Sequence, residues 1–93
     1  MPVKQCILDG SKIRSLDDLY DQISNQISLP GHFSRNLDAL WDVLSADIEG
    51  PFEIIWKQSD ISKNLLGINY DRMLGLFQEL EKERSDFVFK IEL

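Results

Sequence analysis

The chain has 93 residues, enough for one domain and too few for two, and its 43% hydrophobic and 28% charged residues exclude a disordered acidic tail. No apolar run approaches the roughly 20 residues a membrane span needs, and the opening MPVKQCILDG lacks the basic-then-apolar layout of a signal peptide, so the expectation is a cytoplasmic protein without a membrane partner. The formal net charge is −6 and locally concentrated: residues 31–60 hold six acids (Asp38, Asp42, Asp47, Glu49, Glu53, Asp60) and two bases (Arg35, Lys57), a balance that repels nucleic acid and steers a basic protein inward.

Residues 3–8, VKQCIL, form a short apolar-rich run stopped by the turn pair Asp9-Gly10, which predicts a first strand. Cys6 lies within that run as a buried, inert thiol; being the single cysteine, it cannot form an internal disulfide and fits a reducing compartment. Ser15 opens a helix, with Asp18 completing a capping box in place of the usual Glu, and Leu16, Leu19, Tyr20, Ile23 and Ile27 marking one stripe. Leu29-Pro30-Gly31 ends it, and the loop HFSR, residues 32–35, leads into a second helix over residues 36–44, NLDALWDVL. There Asn36 is the N-cap, and Leu37, Leu40, Val43 and Leu44 recur at the spacing of one buried face, leaving Asp38, Trp41 and Asp42 off it.

After a loop at residues 47–51, FEIIWK (52–57) combines β-branched and aromatic side chains in a run apolar through its middle, the pattern of a central, buried strand in a parallel sheet. Residues 60–68 predict a short helix capped by Asp60. Asn69 caps a longer one over 70–84, with Met73, Leu76, Phe77 and Leu80 inward, despite Gly75, which costs about 1 kcal/mol relative to Ala. Residues 86–93 alternate Phe87, Phe89, Ile91 and Leu93 against Val88, Lys90 and Glu92 and predict a third strand, less completely covered than the second. Strand, two helices, strand, two helices, strand implies an α/β fold: a small three-stranded parallel sheet with right-handed crossovers, flanked by about four helices, in a single domain spanning 1–93.

The chemistry concentrates on the second helix. Asp38 in its first turn is favoured by the macrodipole, but Asp42, four residues on, makes a like-charge pair that opposes helix formation by roughly 0.2–0.5 kcal/mol. A sequence that keeps this repulsion beside a tryptophan points to something outside the helix that uses the pair. One His, one Cys, no Cys-x-x-Cys and no glycine-rich phosphate loop leave no motif for a metal or a cofactor. A hydrolase would take His32 as general base, oriented by Asp38 or Asp42, and Ser34 as nucleophile; only the residue types support that, so no enzyme is expected. A binding site would set His32, Phe33 and Trp41 beside the carboxylates of Asp38 and Asp42, aromatic surface next to negative charge, suited to a basic, anion-binding pocket. With Trp41 and Phe33 in the core and the acids merely solvated, the same pattern is equally satisfied.

The run LPGHFSRNLDALWDVL, residues 29–44, resembles the signature of the barstar family, intracellular inhibitors of secreted bacterial ribonuclease. The similarity continues at the same offset through IRSLDDL, the strand at 51–58 with Trp56, and the helix bearing Glu79 and Glu83. The resemblance implies an inhibitor whose helix and preceding loop plug the ribonuclease active site, helix carboxylates standing in for the substrate's phosphates. Asp42 matches the central acid that meets a phosphate-holding cluster of Arg, Lys and His, and Asp38 the second acid. Asn36, Leu37 and Trp41 match neighbouring contact or supporting positions, Glu79 an acid at the rim, and Glu83 one that adds to the field. Three positions depart from the family's best-known member: His32 replaces a tyrosine, Asp47 a tryptophan, and Arg35 an acid, which implies weakened or redirected binding.

The resemblance thus implies a partner-binding set of His32, Phe33, Asn36, Leu37, Asp38, Trp41, Asp42, Ser45, Ala46, Asp47 and Glu79, facing a basic ribonuclease or ribonuclease toxin domain in an immunity-type role in a bacterium. The alternative is an interaction or regulatory module that reuses the fold for a non-nuclease partner.

Overall fold

Strand β2 (Phe52–Lys57) is buried at every position but its last, because parallel neighbours flank it on both sides in the computed structural model, which describes residues 3–29, 31 and 33–93. β1 (Lys4–Asp9) lies on one side of it and β3 (Phe87–Ile91) on the other, in the order β1-β2-β3. Four helices complete the fold: α1 (Leu16–Gln26), α2 (Leu37–Asp42), α3 (Ser59–Leu66) and α4 (Ile68–Glu83). The expected small three-stranded parallel sheet with four helices is therefore what the chain forms.

The register sorts the sheet into two faces. Cys6, Ile54 and Phe89 share one row and Leu8, Trp56 and Ile91 the next, on the face that carries the core. The opposite face carries Gln5, Glu53 and Val88, then Ile7, Ile55 and Lys90. Buried Glu53 is answered there by a hydrogen bond from the Gln5 amide and by Lys90 Nζ at 3.5 Å. Trp56 anchors the core: its indole N–H donates to Ser62 Oγ at 2.9 Å, the Ser62 hydroxyl donates to the Gly10 carbonyl at 2.8 Å, and the rings of Tyr70 and Phe77 pack around it.

Helix side chains close both sheet edges, where unpaired backbone would otherwise invite another strand. On β1, the amide of Gln26 both accepts from Ile7 N–H and donates to Ile7 O at 2.8 Å, and Gln22 repeats the pairing with Asp9. On β3, Glu81 Oε2 accepts from Phe89 N–H at 3.0 Å.

Several helix ends differ from expectation. α1 begins at the Ser15 cap as expected, but the Asp18 carboxylate accepts from Arg14 N–H instead of closing the box on Ser15, and the helix stops at Gln26, with Ile27 already extended. The expectation placed on Pro30 lies outside the described residues. Gln58, at φ 50°, takes the position before α3, so Asp60 sits inside the first turn rather than capping it. α4 starts at Ile68 because Gly67, at φ 60°, makes the abrupt joint that a side-chain-bearing residue resists, leaving Asn69 within the helix. α2 does not end in a loop but runs on as a π-helical turn, Val43–Asp47, closed by Ile48 N–H donating to Val43 O at 3.1 Å.

Candidate functional site

α2 is six residues long, too short to hold itself, and is fixed by its cap and its packing. Asn36 Oδ1 accepts from Ala39 N–H at 2.7 Å, as its position predicts, while its amide N–H donates to Ser34 O and ties the cap to the loop before it. Leu40, Val43 and Leu44 are buried, and α2 lies against α4. Leu37 is half-buried, and so is Trp41, which packs on the rim of the core instead of standing free of it. Phe33 is also half-buried, edge-on to Tyr20 with ring centres 5.7 Å apart. The aromatic residues are thus neither core nor free surface.

Asp38 and Asp42 are both exposed, but they line different hollows. Asp38 opens onto one of about 500 Å³ between α2 and α4, floored by Leu37, Trp41, Gly75 and Leu76 and ringed by Glu79, Glu83 and Arg72. Asp42 opens onto another of about 210 Å³, formed with Phe33, Ser34, Ala39, Val43 and Asp47. Among the described residues, Arg72 is the one cation lining either hollow. Glu79 meets Lys82 at 3.4 Å, an exposed pair one helical turn apart that screening leaves weak. In the π-helical turn, Ser45 is half-buried with its hydroxyl 3.4 Å from Asp42 O, and Ala46 and Asp47 are exposed. The expectations placed on His32 lie outside the described residues.

Arg35 finds its partners on α1. Its guanidinium turns toward α1, Nε to Asp17 Oδ1 at 3.2 Å and Nη2 to Asp21 Oδ1 and Asp17 O, both at 2.9 Å, and lies over the Tyr20 ring. The hydrogen bonds it donates to Asp21 and then to Asp17 hold its pKa above the ordinary arginine value. The cation is paired within the chain.

Two features escaped the sequence reading. Gly75 had been legible only as a weakness in α4; a Cβ there meets no atom within 4 Å, so internal packing does not demand the glycine, and its bare backbone lines the larger hollow. Arg84, at the corner between α4 and β3, is the other, and no local sequence pattern marks it. Its Nη1 donates to Leu44 O at 2.8 Å and to Ile48 O at 2.7 Å, while Nε and Nη2 grip the two oxygens of Asp86, each at 2.8 Å. The guanidinium also lies 4.9 Å from the centre of the Phe52 ring. That hydrogen-bonded partner holds the Asp86 carboxyl below the ordinary carboxylate range.

Among the described residues, no three of His, Cys, Asp or Glu gather to hold a metal ion, and no helix is long and apolar enough to cross a membrane. What the site offers is an acidic, partly aromatic relief on a capped helix. Compared with known proteins, the chain matches the family model described as "Barstar (barnase inhibitor)" over residues 3–93. It is also 33% identical over 89 residues, 96% of this chain and 97% of the other, to a Bacillus subtilis (strain 168) protein named "Putative ribonuclease inhibitor YrdF".

Proposed function

The chain belongs to the barstar family, and from that premise we propose that it inhibits a basic ribonuclease, or a ribonuclease toxin domain, by seating α2 and its flanking segments over the active site. The observation that carries this reading is the display of Asp38 and Asp42: both carboxylates are exposed on a helix held by the Asn36 cap, by buried Leu40 and by Val43 and Leu44 in the turn that continues it. Asp42, beside Asp47 and Phe33, is the phosphate mimic. A carboxylate entering a site already built for an anion leaves fewer charges unpaired than one buried elsewhere. Asp38, Glu79 and Glu83 extend the negative field across the larger hollow and steer a cationic partner toward it. The protein does no chemistry itself. Residues 1–93 act as one domain in the bacterial cytoplasm, in an immunity-type role against the cell's own or an incoming nuclease.

Titrating the purified chain into barnase and a panel of other small basic microbial ribonucleases, with residual cleavage as readout, tests this. Asp42→Ala is expected to cost about 2–5 kcal/mol of binding, a range for which the barnase and barstar pair is itself a reference case, or thirtyfold and more in affinity at about 1.4 kcal/mol per tenfold. Association is expected to slow steeply as salt rises. Tight binding indifferent to Asp42→Ala would sink the active-site mechanism and favour a fold redeployed for another partner.

A further inference from the structure

We propose that Arg84 is a positioning residue for the inhibitory face: it fixes the turn after α2, and with it Ser45, Ala46 and Asp47, in the geometry the partner meets. The inference rests on the inhibitor reading above and adds a residue that touches no partner. The end of α2 needs such help. The last carbonyls of a helix have no partner within it, no basic residue of α2 or of the π-helical turn lies in its own last turn, and the bond from Ile48 N–H that closes the turn goes to Val43 O, leaving the carbonyls of Leu44 and Ile48 to be met from elsewhere. Arg84 reaches across from the far end of α4 and donates one nitrogen to Leu44 O, within the turn, and to Ile48 O, just past it. A cation placed there also opposes the negative end of the helix dipole.

The clamp is itself braced. Asp86 grips the guanidinium on the opposite edge with both oxygens, the Phe52 ring lies against it, and the Arg84 side chain is only 15% exposed. Asp86 O in turn accepts from Phe52 N–H at 3.0 Å, so the support continues into the central strand. The chain between the turn and β2 passes so close that a Cβ on Gly50 would lie 1.8 Å from Asp86 Oδ2 and 3.1 Å from Arg84 Nη2. A planar fork with five donors can bind a carboxylate on one side and two carbonyls on the other; an ammonium cannot. The turn it holds places Asp47 on the same hollow as Asp42, so loosening the turn spreads the acids that a rigid cationic site must meet together. Preorganisation of this kind acts mainly on how long a complex survives.

The test compares the wild-type chain with Arg84→Met, which keeps an apolar stem over Phe52, and Arg84→Lys, each also in an Asp47→Ala background, at a temperature where all are folded. Association and dissociation are measured against barnase and the ribonuclease panel, and backbone amide exchange is followed at residues 43–48 and along β2. Arg84→Met is expected to speed dissociation on the order of tenfold or more with little change in association, to accelerate exchange at residues 43–48 and not in β2, and to lose much of its effect on binding once Asp47 is already Ala. Arg84→Lys is expected to recover only part. Unchanged dissociation together with unchanged exchange in the turn overturns the proposal, as does exchange rising equally in β2, which marks a general loss of stability. If the wild-type chain inhibits none of the ribonucleases, the inhibitor reading fails by itself; exchange confined to residues 43–48 then still upholds the clamp, and its absence overturns it.

Discussion

The two ends of α2 are each held by an arginine, and the two are not equivalent. In front, Arg35 bonds Asp17 and Asp21 of α1, but its side chain is 42% exposed and those of its partners 75% and 63%. At the rear, Arg84 is 15% exposed and makes two of its four hydrogen bonds to backbone carbonyls. Exposed ion pairs in water gain little because solvent and salt screen them and two long side chains must be ordered. Carbonyls sheltered from water lose a partner they cannot replace. The front end also has a side-chain cap in Asn36, so Arg35 is redundant there; the rear is closed by the backbone bond from Ile48 N–H to Val43 O, and its Leu44 and Ile48 carbonyls rest on Arg84. The same residue type therefore tethers at one end and builds at the other.

Removing the rear arginine is expected to have the largest effect. Arg84→Ala strips two carbonyls and the Asp86 carboxylate of their partner at once, a loss of about 2–3 kcal/mol on the scale of hydrogen bonds to charged groups, read as a lowered urea midpoint at unchanged slope. Gly50→Ala is next, at about 1–3 kcal/mol, the usual cost of forcing an extra methyl into packed surroundings. Its sign is the sharper test. Gly50 does not occupy the left-handed region, so without the clamp an alanine there would be neutral or stabilising through a less flexible unfolded chain. With the clamp, the methyl meets Asp86. Because both substitutions break one network, the double variant is expected to cost little more than Arg84→Ala alone.

That contrast also marks what a sequence discloses. FEIIWK and DFVFKIEL announced their strands because burial on two faces, or on one, writes itself into side-chain type at a spacing of two. Asn36 announced its cap because the bond runs to a backbone group three residues on, within reach of a local pattern. Arg84 had no such signature: its acceptors lie 36 and 40 residues earlier, and a basic residue that follows three acids in the five positions before it looks like ordinary solvated surface. Asp60 and Asn69 failed as caps for the converse reason. Both have the right side chain, but the backbone of Gln58 and Gly67 decided where the helices begin. The acid pair was legible as a pair; that Asp38 shares a hollow with α4 and Asp42 with the loop before α2 depended on neighbours distant in sequence.

A smaller effect is expected with pH. Asp86 is held below the ordinary carboxylate value of 3.8, first by its hydrogen bond from Arg84. The unfolded chain therefore takes up that proton at higher pH than the folded one, so the clamp's contribution is present above pH 3.8 and is lost as the pH falls through the folded value. Urea midpoints measured downward from neutral pH are expected to fall less in Arg84→Met than in the wild-type chain over that acid range, and equal losses would remove Asp86 from the account.

The smallest effect is expected at the front. Arg35→Ala removes bonds that solvent already weakens, and its change in melting temperature is expected to match that of an ordinary surface substitution and to vanish in about 1 M salt, where the screening length is near 3 Å. Arg35→Glu, which restores the acid found at this position in the family's best-known member, places a third carboxylate beside Asp17 and Asp21 and is expected to lower the melting temperature more than Ala does, again less so in salt. α1 carries two acids where the loop crosses it, so an acid at residue 35 has nowhere favourable to turn. An Arg35→Ala loss as large as that of Arg84→Ala, and insensitive to salt, would break the contrast between the two ends and make both arginines structural.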